Sequence, residues 1–485
     1  MKGARKKASS QSVSQSVSRV LLAVFILMAA SAFGQTIPQG TFKHIIIIVQ
    51  ENRTPDNLFG ASPMTGSTCG PENNPLLPGA DIDNGGYGYY YDSVGKPHYG
   101  LICNTALPLN GWDANIPGYT DPTNDSKSID PRHSYEDWEA DFDEDGTLMS
   151  GFCHEFNDYS VYGGQCPSYS YVQQATVQPY YDGAQPYFDI ATAYGFANYM
   201  FQTSEGPSQP AHQFLFTGTS APDAPNQPYY FDFVADLPNT PPGAPVTCNA
   251  TSDWPEWVQP DGTTLNPPPL DSECYTHDSL VTDTTACSNG GPDYCDRGVP
   301  GISSSIDAWG YYTEPSAGSD PQSIWDAPAN IPEVCYGLTA QYGTGQSCGG
   351  GGHGSMEWSD HLRIPQGTAP WDLAMTYSWA PIFDDILNCE LPAISWVTPD
   401  QRWSDHPWLP SSGTATSPAF GPYWVADIIN AVGGQACNGK YWSGSEPTAV
   451  IVTWDDWGGW YDHVKPWAFY GLGSGKGYWN QNGND

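Results

Sequence analysis

FKHIIIIVQ, residues 42–50, is a continuous run of β-branched side chains of strand length, apolar on both faces. Such a run predicts the buried central strand of a parallel sheet, because a strand covered by helices on both sides has no water-facing positions to alternate. The run stops abruptly at Glu51-Asn52-Arg53. Two further segments have the same form: AISWV at 393–397, ending near Asp400, and AVIVTW at 449–454, ending in Asp455-Asp456. Helical patterns at 187–197, 209–217 and 423–432 lie between the strands. The alternation makes the expected class α/β, a mostly parallel sheet sandwiched by helices. Ligands of such sheets bind beyond the carboxyl ends of the strands, and here all three ends carry acids.

Outward from these strands, composition bounds the rest. The chain has 485 residues, with 16 Lys+Arg against 53 Asp+Glu and a net charge of −37. No basic groove for nucleic acid can be assembled from so few cations. A hydrophobic fraction of 39% and an aromatic fraction of 14% are too high for a disordered chain, while 52 Gly and 45 Pro predict a loop-rich globular protein. The Pro/Gly-rich stretches at about 60–124 and 221–385 hold most of the cysteines and little periodicity. They read as insertions crowning one domain over 35–485, with no internal repeat.

Lys2, Arg5, Lys6, Lys7 and Arg19 precede the apolar run 20–28, and small residues follow to Gly34. This is the pattern of a Sec-type signal peptide over 1–34, which predicts a secreted or periplasmic protein with no stable membrane insertion. The run is shorter than a membrane span needs. Its removal takes five cations and no acid, so the remainder is more acidic than the whole. Twelve cysteines, an even number, then favour disulfides, with Cys287–Cys295 or Cys335–Cys348 as local staples and the overall connectivity open. No Cys-x-x-Cys pair suggests a zinc site.

Three segments offer chemistry. Glu51-Asn52 supplies a carboxylate and an amide oxygen, hard donors suited to Mg²⁺, Ca²⁺ or Mn²⁺; the plainer reading pairs Glu51 with Arg53 or makes it a turn cap. Asp455-Asp456 is a second carboxylate pair, costly to hold together without a cation or a proton. Ser208, in the sequence EGPSQP after a strand-like stretch at 197–203, falls at a helix N-terminus. There backbone N–H groups and the helix dipole favour a phosphoryl group; the plainer reading is an N-cap serine. Asp141–Gly146 fits the start of a calcium loop, but Phe152 stands where a bidentate Glu is required. Gly349–Gly352 reads as a turn, since no Lys-Ser/Thr pair follows, and His353 and His361 could approach the site from the same insertion.

Taken in order, these segments resemble a known family. Lys43 to Gly60 (KHIIIIVQENRTPDNLFG), Asp130-Pro131-Arg132-His133-Ser134, Gly206-Pro207-Ser208-Gln209-Pro210, Leu391 to Val397, Asp405-His406-Pro407 and Val452 to Val464 (VTWDDWGGWYDHV) are similar to successive motifs of the bacterial phosphoesterase family that contains phospholipases C and acid phosphatases. That family lies within the alkaline phosphatase superfamily. The resemblance implies an alkaline phosphatase-like fold and a divalent cation (Ca²⁺, Mg²⁺, Mn²⁺ or Zn²⁺) held by Glu51, Asn52, Asp455 and Asp456 beside Ser208, with Ser208 as nucleophile and itself a ligand. It also implies that His133, His406 and His463 bind phosphoryl oxygens or protonate the leaving group. The sequence departs from the family at Thr54-Pro55, in place of Ser-Phe, at Ala211, in place of Asn, and at Asp456, in place of Glu. The family pattern further implies another strand and loop beyond Asp485.

The implied substrate is a phosphate monoester or a phospholipid headgroup, and the strong negative charge favours soluble monoesters or zwitterionic headgroups over anionic lipid surfaces. A different class stays open. A secreted, Trp/Tyr-rich and disulfide-rich chain also fits a carbohydrate-binding or cell-surface protein, or a glycosidase with paired carboxylates and no metal.

Overall fold

The computed structural model describes residues 38, 40–60, 69, 77–91, 96–107, 130–141, 151–153, 166, 168–172, 183–202, 204–218, 220, 233–236, 256–258, 309–313, 327–330, 362–363, 381–399, 403–407 and 421–464. Lys43–Asp485 carries every element, and of Met1–Phe42 only residues 38 and 40–42 are described. In chain order the elements are β1 (His44–Gln50), α1 (Pro55–Phe59), β2 (Gly85–Tyr91), β3 (Pro97–Cys103), β4 (Thr105–Leu107), α2 (Tyr135–Asp141), β5 (Ser170–Val172), α3 (Gln185–Ala193) and α4 (Ser208–Thr217). They continue with β6 (Phe233–Asp236), β7 (Glu256–Val258), β8 (Trp309–Tyr312), β9 (Leu362–Arg363), α5 (Pro381–Asn388), β10 (Ile394–Val397), α6 (Gly421–Gly433) and β11 (Thr448–Trp454).

The main sheet has the order β11-β1-β10-β8-β9, and every pairing in it is parallel. The isoleucine run thus forms a central strand, as its two-sided apolar character requires. Side chains alternate between faces. Ile46, Ile48, Tyr312 and Val397 pack on one side with Ile382 and Ile386 of α5, Tyr187 and Phe188 of α3, and Trp424, Val425 and Ile428 of α6. Ile47, Trp309, Tyr311 and Trp396 face the other side, where Phe216 of α4 covers them. Helices therefore lie on both faces, and the class is α/β. At roughly 25 cal/mol per Å² of apolar surface, burying these isoleucines and aromatics supplies the main driving force for the sheet. None of the helices among the described residues is long and apolar enough to cross a membrane.

Register decides where the chemistry falls. Gln50 lies opposite Trp454, so both strands end together and Asp455 N donates to Gln50 O at 2.9 Å. At the opposite, amino end of β1, His44 is buried against Tyr441, within hydrogen-bond distance of Pro392 O at 2.8 Å and Glu446 Oε2 at 3.3 Å. The two ends of one strand are built for different purposes: a closed polar network at the start and an acidic cluster at the finish.

Several expectations are adjusted. Among the described residues β11 lies at the edge of the main sheet rather than in its centre, and Ile451 remains 39% exposed. The stretch read as strand-like at 197–203 contains no strand over its described residues 197–202, because Asn198 is committed to a loop. Its Oδ1 accepts from Asp81 N and its Nδ2 donates to Gly79 O. β8, inside the stretch read as an insertion, pairs directly with β10. Its sequence WGYY is too short to signal a strand by periodicity.

Among the described residues three disulfides are formed, Cys69–Cys103, Cys153–Cys166 and Cys389–Cys437. The 1–34 segment, Asp400, Gly349–Gly352, His353, His361 and the pairs Cys287/Cys295 and Cys335/Cys348 lie outside the described residues. Cys103 ends a two-stranded ribbon, β2–β3, whose inner side must come close to the domain: a side chain on Gly86 would lie 2.2 Å from the Tyr461 hydroxyl.

Candidate active site

Where β1 leaves the sheet, Asn52 adopts φ +57°, a left-handed conformation that Asn tolerates better than most residues. This reverses the chain so that Asn52 N donates to Asp455 Oδ1 at 2.9 Å. After β11, Gly458 takes φ +61° and lies so close to Asn52 that a Cβ would stand 2.6 Å from Asn52 O. Gly458 N in turn donates to Asp456 Oδ1 at 2.7 Å. The two strand ends are thus locked face to face.

Glu51, Asn52, Asp455 and Asp456 are all buried, at 0 to 2% exposure. Ser208 completes the group. Pro207 is the N-cap of α4, so Ser208 is the first helical residue and does not serve as the cap. Its Oγ stands 3.3 Å from Asn52 Oδ1 and 3.2 Å from Asp456 Oδ2. Nor does Glu51 pair with Arg53. The Arg53 guanidinium turns away to donate to Asp405 O at 2.9 and 2.7 Å and to Asn57 Oδ1, and lies over the Trp460 ring.

The cluster also includes a residue not singled out from the sequence. His212 Nε2 lies 2.9 Å from Glu51 Oε1 and 3.6 Å from Asp455 Oδ2. Its signal was present as spacing: Ser208 and His212 are four residues apart on α4 and share a face. Burial pulls the His212 pKa down to about 4, so the imidazole is neutral at neutral pH. Burial, together with the charges of Asp455 and Asp456, pushes Glu51 well above the usual carboxylate range. Burial and the neighbouring Asp455 do the same to Asp456.

The donor set can be tested against a divalent cation. Glu51 Oε2 and Asp455 Oδ2 are buried with no hydrogen-bond partner, and one ligating atom from each of Glu51, His212 and Asp455 falls within 4.8 Å of the others. Buried carboxylate oxygens without donors are costly, and a hard cation satisfies them. The residues present fit such an ion.

The three histidines separate. His133 Nε2 is 2.8 Å from Asn52 Nδ2, and its Nδ1 is 2.8 Å from Pro131 O. Burial opposes its charge, but Asp456, Asp130 and the Pro131 carbonyl outweigh burial and hold its pKa at about 9. That elevation reports the negative cluster, and a cation held there would offset it. His406 faces His133 at 6.0 Å between ring centroids, and burial lowers its pKa. Its loop is fixed by its neighbour. Asp405 N donates to Gln50 Oε1, and Asp405 Oδ2 accepts from Tyr187 and Trp454 at 2.7 and 2.9 Å.

His463 belongs elsewhere. It is paired with Asp56 at 2.8 Å and Asp81 at 3.3 Å instead of joining the Ser208 cluster. Asp56, Asp462 and Asp81 overcome its burial and raise its pKa to about 9. Asp141, read as the start of a calcium loop, ends α2 with its Oδ2 accepting from Trp457 Nε1 at 2.8 Å.

A pocket of about 180 Å³ adjoins the cluster at Asp456 and Trp457, with Tyr187, Phe196, Phe201, Trp138 and Trp454 among its walls and Asp81 and Asp462 on its lining. Thr54 and Pro55, which depart from the family pattern, also line it. Thr54 caps α1 through Asn57 N and donates to Tyr461 O, so the altered pair is a well-formed helix start.

Fold and site together define the class: an α/β protein with a serine–carboxylate centre at the carboxyl edge of a parallel sheet. The chain belongs to the Phosphoesterase family, whose model matches residues 42–298 and 362–480. Among curated proteins it is similar to the non-hemolytic phospholipase C of Burkholderia pseudomallei, 26% identical over 168 residues, covering 33% of this chain and 20% of that protein. The hemolytic phospholipase C of Pseudomonas aeruginosa is 26% identical over 119 residues, covering 23% of this chain and 14% of the relative. Phospholipase C B of Mycobacterium tuberculosis is 35% identical over 82 residues, 17% and 13% of the two chains. The matched segments thus span a fifth or less of these relatives' own lengths.

Proposed function

We propose that the protein is an exported, cation-dependent phosphoric ester hydrolase acting through a phosphoserine on Ser208. The observation that carries this reading is the placement of Ser208 Oγ within 3.3 Å of Asn52 Oδ1 and Asp456 Oδ2, in a buried cluster whose Glu51 Oε2 and Asp455 Oδ2 lack donors. Glu51, Asn52, Asp455, Asp456 and Ser208 would hold the ion. When bound, the cation polarises a phosphoryl oxygen and favours the alkoxide form of the serine.

The chain's own groups account for the remainder. Ser208, at the N-terminus of α4, has free backbone N–H groups and the positive end of the helix dipole beside it, which favour an anionic phosphoryl group. The Ser208 Oγ–P bond forms as the bond from phosphorus to the leaving oxygen breaks, and that oxygen takes up a proton. Water then attacks the phosphoserine, restoring Ser208 and releasing the phosphate or phosphorylated headgroup. His133, beside Asn52, and His406, facing His133, are placed to hold phosphoryl oxygens or deliver the leaving-group proton. His463 is occupied by Asp56 and Asp81 instead. The substrate is a phosphate monoester or a phospholipid headgroup, with the leaving portion received by the aromatic pocket. The phospholipase C names of the relatives and the Phosphoesterase membership support this chemistry, and the three disulfides suit an oxidising compartment.

The test is hydrolysis of p-nitrophenyl phosphate and p-nitrophenylphosphorylcholine by the purified protein, with chelator and metal add-back. Ser208→Ala should lower turnover at least ~10⁴-fold while leaving the far-ultraviolet spectrum unchanged. Release that persists in Ser208→Ala, or that ignores chelation, sinks the reading. The preferred substrate separates phosphatase from phospholipase C.

A further inference from the structure

The four side chains assigned to the cation share one arrangement: each has one polar atom held by the protein and another left facing the cluster. Asp455 Oδ1 accepts from Asn52 N at 2.9 Å, and its Oδ2 has no hydrogen-bond partner. Asp456 Oδ1 accepts from Gly458 N at 2.7 Å, and its Oδ2 faces Ser208 Oγ at 3.2 Å. Asn52 uses Nδ2 on His133 and turns Oδ1 to Ser208. For Glu51 the held atom is Oε1, 2.9 Å from His212 Nε2, and the open atom is Oε2.

We propose that His212 is a positioning residue for the cation site, its Nε2–H donating to Glu51 Oε1 and so leaving Oε2 as the ligating oxygen. The proposal rests on the reading of Glu51 as a ligand. Glu51 needs such a tie more than its neighbours. Both aspartates are held by backbone N–H groups, whereas Glu51 has an additional rotatable bond and its described hydrogen bonds run to side chains, that to His212 at 2.9 Å. His212 is 1% exposed, so water cannot replace a lost partner. Direct ligation by Nε2 would instead leave Glu51 Oε1 without a donor as well as Oε2. The spacing gives the arrangement a further property: α4 carries the nucleophile and, one turn on, the group that aims the glutamate. Serine and glutamate are registered to one another through a single rigid helix.

The experiment measures Mn²⁺ affinity of the full-length protein by the electron paramagnetic resonance signal of free Mn²⁺, together with pulsed detection of ¹⁴N near the bound ion. The comparison is between wild type, His212→Leu, His212→Gln and His212→Asn. Gln keeps an N–H donor of near-equal reach, Asn is too short, and Leu has none. The expected result is a Kd about 10- to 100-fold weaker for Leu and Asn, with Gln within a few-fold of wild type and no directly bound ¹⁴N. Should the Leu protein fail to fold, the Gln–Asn pair decides. Equal affinity across Gln and Asn, or a ¹⁴N coupling that disappears in the variants, overturns the positioning role. Wild-type protein that takes up no divalent cation overturns the cation site itself, a different result from cation binding indifferent to residue 212.

Discussion

At the scale of single residues, the facing histidines His133 and His406 divide by their surroundings. His133 is drawn towards the charged form by Asp456 and Asp130 despite its burial, whereas burial lowers His406. His406→Ala is expected to lower kcat about 10²- to 10⁴-fold while Mn²⁺ affinity stays within a few-fold of wild type. Full turnover in that variant would remove its assigned role. Asp405 provides a pH signature in stability. Burial raises its pKa to about 6, against the opposing hydrogen bonds from Tyr187 and Trp454 and the charge of Arg53. With an unfolded value of about 3.9, its contribution is fully present below that pH and is lost as pH rises through about 6. Asp405→Asn should therefore gain stability relative to wild type between pH 5 and 7, on the order of 1 kcal/mol, read from urea midpoints at both pH values. A difference that does not change with pH would show that Asp405 is not the titrating group.

At the scale of elements, the turn that follows β11 is a tight joint in the site. Gly458→Ala combines a left-handed φ of +61° with contact to the Asn52 backbone, so destabilisation of about 1–3 kcal/mol is expected. The Mn²⁺ affinity should fall with it, because Asn52 and Asp456 move together, and an unaltered melting curve would contradict this packing. The elements also show what the sequence made legible. The runs at 42–50, 393–397 and 449–454 were readable because unbroken β-branched character survives without context, and their acidic ends located Glu51, Asn52, Asp455 and Asp456. Ser208 was readable from its place before an apolar helix. β8 was not, since WGYY owes its strand form to pairing with β10, a long-range contact no local window contains. The stretch at 197–202 failed in the opposite sense, its apolar residues suggesting a strand that Asn198 prevents. His212 and His463 show the same limit for side chains. Both are histidines in motif-like settings, and only tertiary pairing assigns one to Glu51 and the other to Asp56.

At the scale of the molecule, covalent links hold regions that contribute little to the sheet. Cys389–Cys437 joins the end of α5 to the segment after α6 across 48 residues. By the chain-entropy estimate its loss should cost about 4 kcal/mol, which Cys389→Ser/Cys437→Ser would show as a lower denaturant midpoint, with a steeper slope because the unlinked unfolded chain exposes more surface. A midpoint equal to wild type would mean that packing of α5 on α6 alone holds this corner.

The pairing of β1 with β11 also places a constraint in time. Asn52 and Asp455, which touch, are separated by 403 positions in the chain. At about 5–20 residues per second, a ribosome needs roughly 20–80 s to travel between them. Throughout that interval the isoleucine strand has been made and its partner has not. Until that partner exists the acidic ends of the two strands cannot meet, and the exposed isoleucine segment must be kept from other chains.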